Sequence, residues 1–267
     1  MANTLFEKIL KGASGLRNII SPSQIVIHKR ALLNRIPEKL LLPLFCGKYR
    51  NKLRKPDNLT ILLVHNYPEK SIMEKSLEYV GIHNYTLLRP VSTGEWSHTA
   101  KPTVILEYLK SGKCQTEYVL FCDSDDAILI RDPAKTIELL HENQCEMLIS
   151  TTDWEGGYEC MSHIEQWATS IAAESGYMGK KNIHLNSGVY IAKTEFLKEV
   201  LEESAKYITD HDLPVKEYRQ LKVSNRLCEA LPNFPQGVGS DQVILRFIHP
   251  KFYPRMKLDY NDRLAFR

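Results

Sequence analysis

The chain has 267 residues, 43% of them hydrophobic and 25% charged, an ordinary balance for one large globular domain or two small ones. No run approaches the roughly 18 apolar residues of a membrane span, and Met1 to Leu10 lacks a secretory signal, so a cytoplasmic location is expected. The net charge of +3 hides an asymmetry: residues 1–55 carry 12 Lys and Arg against Glu7 and Glu38, or +10, while the remainder, with 23 basic and 30 acidic residues, is −7.

Within residues 1–57 short apolar patches (Leu5, Ile9 and Leu16; Leu32, Leu33 and Ile36; Leu40 to Phe45) alternate with Pro22, Pro37 and Pro43. This segment reads as a basic helical appendage. It either lies on an anionic membrane surface, where each cation contributes about 1 kcal/mol, or wraps the main domain. Its cations are not interleaved with aromatics, which argues against nucleic acid.

The main domain, 58–267, opens with the buried strand Leu59–Val64, which ends at His65. A helix from Glu69 to Val80 with Gly81 beyond it, and a short strand Tyr85–Leu88, continue an α/β alternation. Pro102 at the first helical position and Gly112 past the end bracket the next helix. Tyr118–Cys122 is then an unbroken apolar run, suited to a strand buried on both faces of a parallel sheet. Asp132 caps a helix over 133–141, and Glu146–Thr151 forms another strand. After a loop holding Trp154, Gly156 and Gly157 come a helix over 163–173 and the strand His184–Ala192, with Gly188 inside it. Phe196–Ile208 is helical and 209–238, with Pro214, Pro232 and Pro235, reads as irregular. A helix over 240–248 and an edge strand near Met256–Tyr260 close the chain. The six cysteines (Cys46, Cys114, Cys122, Cys145, Cys160, Cys228) lie at least eight residues apart and form no CxxC pair, so they are expected to be reduced and mostly buried.

The chemistry concentrates at Asp123-Ser124-Asp125-Asp126, wedged between Tyr118–Cys122 and Ala127–Ile130. Ligands collect beyond the carboxyl ends of strands in open α/β sheets. Two carboxylates about 5 Å apart repel by roughly 3 kcal/mol at an effective dielectric near 20, so something must offset the charge. Oxygen ligation from Asp123, Asp125 and Asp126 favours Mg2+ or Mn2+ over zinc. The plain alternative is a solvated turn.

Taken together, these residues resemble the nucleotide-sugar glycosyltransferases of the GT-A fold, most nearly the glycosyltransferase domain of procollagen lysyl hydroxylases. Four landmarks carry the likeness in order: Phe121-Cys122-Asp123-Ser124-Asp125-Asp126, Leu185-Asn186-Ser187-Gly188, Ser240-Asp241-Gln242 and Lys257-Leu258-Asp259. The resemblance implies a Rossmann-like, mixed but mainly parallel sheet flanked by helices. It also implies transfer of a sugar from a nucleoside diphosphate donor, such as a UDP-sugar, to a hydroxyl on a glycan or lipid-linked acceptor. Mn2+ or Mg2+ would sit on Asp123, Asp125 and Asp126, with Val64, His65, Lys101 and Asp123 around the nucleotide. Trp154, Asn186, Ser187, Gly188, Asp241 and Gln242 would line the sugar and acceptor site. Gly188 would admit the donor sugar close to the backbone, and Asp241 would act on the acceptor, its alternative being a helix N-cap. Relatives take a histidine ligand from beyond the Leu-Asp strand, where this chain stops. His249, a water with the diphosphate, or a weakened metal site are the options. Rival readings are a haloacid-dehalogenase-like phosphohydrolase, against which Ala127 stands in place of the usual Thr or Val, and a catalytically silent nucleotide- or sugar-binding module.

Overall fold

The computed structural model describes residues 23–28, 33–34, 36–91, 95–153, 158–179 and 181–266. In chain order these form β1 (Val26–His28), α1 (Glu38–Cys46), β2 (Leu59–Val64), α2 (Ile72–Val80), β3 (Thr86–Leu88), α3 (Ala100–Lys110), β4 (Tyr118–Cys122), β5 (Ala127–Leu129), α4 (Ala134–Glu142), β6 (Met147–Thr152), α5 (Ser162–Glu174), β7 (His184–Lys193), α6 (Thr194–Ala205), α7 (Val215–Val223), α8 (Leu227–Ala230), α9 (Asp241–Phe252), β8 (Met256–Leu258) and β9 (Ala265–Phe266). The patches around Leu5, Ile9, Leu16 and Leu32 lie outside the described residues, as do Trp154, Gly156 and Gly157.

Six strands make the main sheet in the order β3-β2-β4-β7-β6-β8. All run the same way except β7, which is antiparallel to both β4 and β6. The mixed, mainly parallel sheet flanked by helices expected from the sequence is the one observed. Strand alternation divides its core cleanly. Leu59, Ile61 and Leu63 of β2 with Leu120 and Cys122 of β4 pack against α2, β1 and β5. Leu62, Val64, Val119 and Phe121 face the other way, towards α3, α6 and α9. Burial on both faces is why β2 and β4 read as unbroken apolar runs.

A second sheet of three strands, β5-β1-β9, explains the apolar run after the aspartates. Ala127–Leu129 pairs antiparallel with β1, and β1 pairs parallel with β9 near the end of the chain. Ile25, Val26, Ile27, Leu33, Leu41 and Cys46 share one core with β2 and β4, so the described part of the basic segment is packed into the main body.

Local chemistry moved several boundaries. The helix expected from Glu69 begins at Ile72, because Ser71 caps it: the Ser71 Oγ accepts from Glu74 N–H and the Glu74 carboxylate accepts from Ser71 N–H. Pro102 falls third in α3 rather than first, still within the turn whose N–H groups have no helical partner. Asp132 accepts from Ala134 N–H at 2.9 Å, as a cap should. The stretch expected to be irregular holds α7 and α8, flanked rather than broken by Pro214 and Pro232; α7 is mostly polar and buries only Tyr218, so it lacks an apolar stripe. α9 runs to Phe252 instead of stopping at Ile248, with Pro250 inside its last turn.

The cysteine expectation is corrected. Cys160 and Cys228, 68 residues apart, form a disulfide that ties the turn just before α5 to α8, where Cys228 packs against a third core cluster around Tyr218 and Leu227. Sequence spacing exposes only local pairs, and this one is made by tertiary packing. Cys46, Cys122 and Cys145 are free and buried, and Cys114 is half-buried. Among the described residues no helix is long and apolar enough to cross a membrane.

Asp259 turns the chain from β8 towards β9: its carboxylate accepts from Leu264 N–H, and burial pushes its pKa up to about 6. A carboxyl raised in the fold favours the neutral form, so its contribution to stability is complete below about pH 4 and is lost as pH rises through about 6. Asp259→Asn, which stays neutral, should gain on the native protein by up to about 3 kcal/mol between about pH 4 and pH 7. Urea melts of both proteins at the two pH values test this, and a constant difference would refute it.

Candidate active site

The loop after β4 is held from three sides. Asp123 N–H donates to Gly188 O at 2.7 Å, Ser124 Oγ donates to Val64 O at 3.3 Å, and Met73 N–H donates to Ser124 O at 3.2 Å. The chain then turns straight into β5, whose Ala127 is in register with His28 of β1. That register sets the His28 ring beside Asp126. His28 Nε2 lies 3.1 Å from Asp126 Oδ1 and 3.4 Å from Asp123 Oδ2, and one ligand atom from each of the three residues falls within 4.8 Å of the others.

This histidine was not anticipated from the sequence, and it bears on two expectations. His249, offered as a substitute ligand, is buried in α9 with Nε2 donating to Met256 O, and burial pushes its pKa down to about 4. It is not in the cluster. Gly188 was expected to make room for the donor sugar, yet a Cβ there would meet His28 Cε1 at 1.9 Å and Asp123 Oδ2 at 2.6 Å. The missing side chain makes room for the imidazole.

Lys101 completes the charge arrangement. Its ammonium sits 3.0 Å from Asp123 Oδ1 and 3.0 Å from Asp241 Oδ2, bridging β4 to the start of α9. Burial would lower the Lys101 pKa, but the two carboxylates outweigh it and the net shift is upward. Burial would likewise raise Asp123, and Lys101 with His28 holds it far below the usual carboxylate range. For His28, burial lowers the pKa, and hydrogen bonds and charge from Asp123 and Asp126 reverse that. Asp241 opens α9 but makes no capping hydrogen bond; Ser240 occupies the cap position, and the Asp241 carboxylate turns to Lys101.

Two cavities meet over this cluster and share His98, Lys101, Asp123 and Asp126. The larger, about 590 Å3, is bounded by Val64, His65, Tyr67, Trp96, Asp125 and Arg219. Here the His65 ring stacks on Tyr67 at 4.9 Å and 18°. Tyr67 N–H donates to His65 Nδ1, which leaves Nε2 to donate to Glu74 at 2.7 Å and so fixes the ring. Asp125 is exposed on this wall, outside the His28, Asp123 and Asp126 group.

The smaller cavity, about 340 Å3, is lined by Asn186, Ser187, Tyr218, Lys222, Asp241 and Gln242. Asn186 is heavily engaged: its Nδ2 donates to Gln242 Oε1 at 2.7 Å, and its Oδ1 accepts from Gly188 N–H at 3.1 Å. Trp154 lies outside the described residues. The outer wall of both cavities comes from 95–99 and α7. Val215 N–H donates to Trp96 O at 2.8 Å, and the Tyr158 and Tyr218 hydroxyls meet at 3.0 Å.

The sequence matches no family model and no curated protein. Among solved structures, the crystal structure of a glycosyltransferase involved in the glycosylation of the major capsid of PBCV-1 aligns over 75% of this chain and 80% of that chain, at 17% identity and a TM-score of 0.37. A likeness that distant leaves the function to the chemistry of the site.

Gly188→Ala should destabilise the protein by about 1–3 kcal/mol, the usual cost of overpacking, and expel the His28 ring from its place. A melting curve together with the His28 ring signals in an NMR spectrum reads both effects; an unshifted His28 in a stable variant would contradict the close approach.

Proposed function

We propose that the protein is a metal-dependent glycosyltransferase of the GT-A type that moves a sugar from a nucleoside diphosphate to an acceptor hydroxyl. The observation that carries this reading is the placement of Asp123, Asp126 and His28 where an aromatic-walled cavity joins a polar one. His65, Tyr67 and Trp96 suit a stacked base, with Asp125 towards the ribose and Arg219 near the phosphates. The carboxylate oxygens of Asp123 and Asp126 and the Nε2 of His28 fit a divalent ion, and the imidazole in the set favours Mn2+ over Mg2+. When bound, such an ion neutralises charge developing on the leaving diphosphate. On this reading residues 58–267 hold the catalytic unit and His28, from the segment before it, completes the metal site.

The chain's own groups supply the remaining steps. Ser187 and Gln242 face the transferred sugar, whose hydroxyls both donate and accept. As the acceptor oxygen bonds to the anomeric carbon and the carbon–oxygen bond to the diphosphate breaks, the acceptor proton passes to an Asp241 Oδ atom. Lys101 orients that carboxylate. This describes inversion; in a retaining reaction the same carboxylate orients the sugar and stabilises positive charge on the ring.

Incubating the protein with a panel of UDP-sugars and Mn2+ and measuring UDP release tests the assignment directly. Asp126→Asn and His28→Ala should each weaken Mn2+ binding, read calorimetrically, and remove metal-stimulated release. Full release in excess chelator would overturn the metal-dependent reading, and hydrolysis of simple phosphoesters instead would point to a phosphohydrolase.

Asp241→Asn should lower turnover about a hundredfold or more with little change in donor affinity. Asp241 makes no capping bond to lose, so any fall in melting temperature would report only the lost ion pair with Lys101. An active variant would remove Asp241 from the chemistry.

A further inference from the structure

Beside β8, at the edge of the main sheet, a third cavity of about 300 Å3 opens that shares no residue with the candidate active site. Its walls are helix ends. Glu142 and Asn143 close α4, Ser175 and Tyr177 follow α5, and Tyr253 follows α9. A helix C-terminus presents carbonyl oxygens and about half a negative charge. Three of them converging, with Glu142, disfavour an anionic ligand and favour one rich in hydrogen-bond donors. The one lysine in the wall, Lys257, already donates to Asn143 O at 2.8 Å.

The rest of the lining is aromatic and amide, together with Leu258 and His249. The Tyr177 and Tyr260 rings lie 5.0 Å apart at 33°, and Tyr253, 37% exposed, stands edge-on to Trp167 at 5.9 Å. Burial pushes the Tyr260 hydroxyl up to about 12, so it stays neutral and can donate as well as accept. The amides of Gln144 and Asn261 add paired donors and acceptors. Apolar ring faces bordered by groups of both polarities match a pyranose, which is apolar on its C–H faces and hydroxylated around its rim. The volume is at the lower end for ligand cavities, about 300–1,000 Å3, and suits a single ring.

We propose that this cavity is a second, non-catalytic site that binds a neutral carbohydrate ring against its tyrosines, beside the helix ends. The assignment does not depend on the transferase reading. It is tested on the full chain with 13C-labelled tyrosine rings, titrated with glucose, galactose and mannose, and in separate arms with inorganic phosphate and tetramethylammonium. At least one sugar should shift the Tyr177, Tyr253 and Tyr260 signals saturably, and Tyr253→Ala should weaken that binding about tenfold. Should that variant fail to fold, Asn261→Ala, on an exposed turn, serves in its place with the same expected loss. The proposal is overturned if none of the sugars shifts these rings, if shifts are confined to Tyr67 and Tyr218 at the other site, or if phosphate or tetramethylammonium produces them instead.

Discussion

The site depends on a charge balance at the carboxyl end of β4. Asp123 ends a strand that is buried on both faces, and a lone carboxylate there would be too costly to keep ionised. Lys101 from α3 and His28 from β1 each take one of its oxygens, at 3.0 and 3.4 Å. Lys101 in turn holds Asp241, and His28 holds Asp126. Four elements from distant parts of the sequence are thus clamped by one set of alternating charges. Removing Lys101 strands the buried Asp241 carboxylate without its counterpart, which is more damaging than losing the pair would be.

Much of this was legible in the sequence where the signal was local. The apolar runs of β2 and β4, the aspartates at the carboxyl end of β4, and the helix opening at Asp241 all follow from patterns of fewer than a dozen residues. The expectation that something must offset the repulsion among the aspartates was sound, and Lys101 and His28 are part of the answer. His28 itself was hidden because nothing near it looks catalytic: Ile25-Val26-Ile27-His28 reads as a short apolar patch in a basic segment. Only the pairing of β1 with β5 gives it a role. The same holds for Gly188, where the sequence correctly marked a close approach and the structure supplied a different neighbour. Tertiary contact likewise made the Cys160–Cys228 bond, which no spacing rule predicts.

The outer wall of the site is built differently from its floor. Asp123, His28 and Lys101 project from or beside buried strands and helices, whereas Tyr218, Arg219 and Lys222 stand on α7, a polar helix with only Tyr218 buried. Bonds from Val215 to Trp96 and from Tyr158 to Tyr218, with the disulfide to the following helix, hold that wall in place. A rigid floor with a wall fixed by a few cross-links lets chemistry stay constant while the pocket's shape is set by separate residues.

The pairing of β1 has a consequence for how the molecule is made. Val26 lies opposite Leu129 on one side and Ala265 on the other, and Ile25 and Val26 donate to Arg263 O and Leu264 O. Synthesis runs from the N-terminus, so β1 is made before either of its partners and its pairing can be complete only once residues 263–266 have followed. Its histidine reaches a fully bordered position only then. Nascent chains arrested before residue 263 would carry the sheet and the aspartates but only part of the β1 pairing that seats the imidazole.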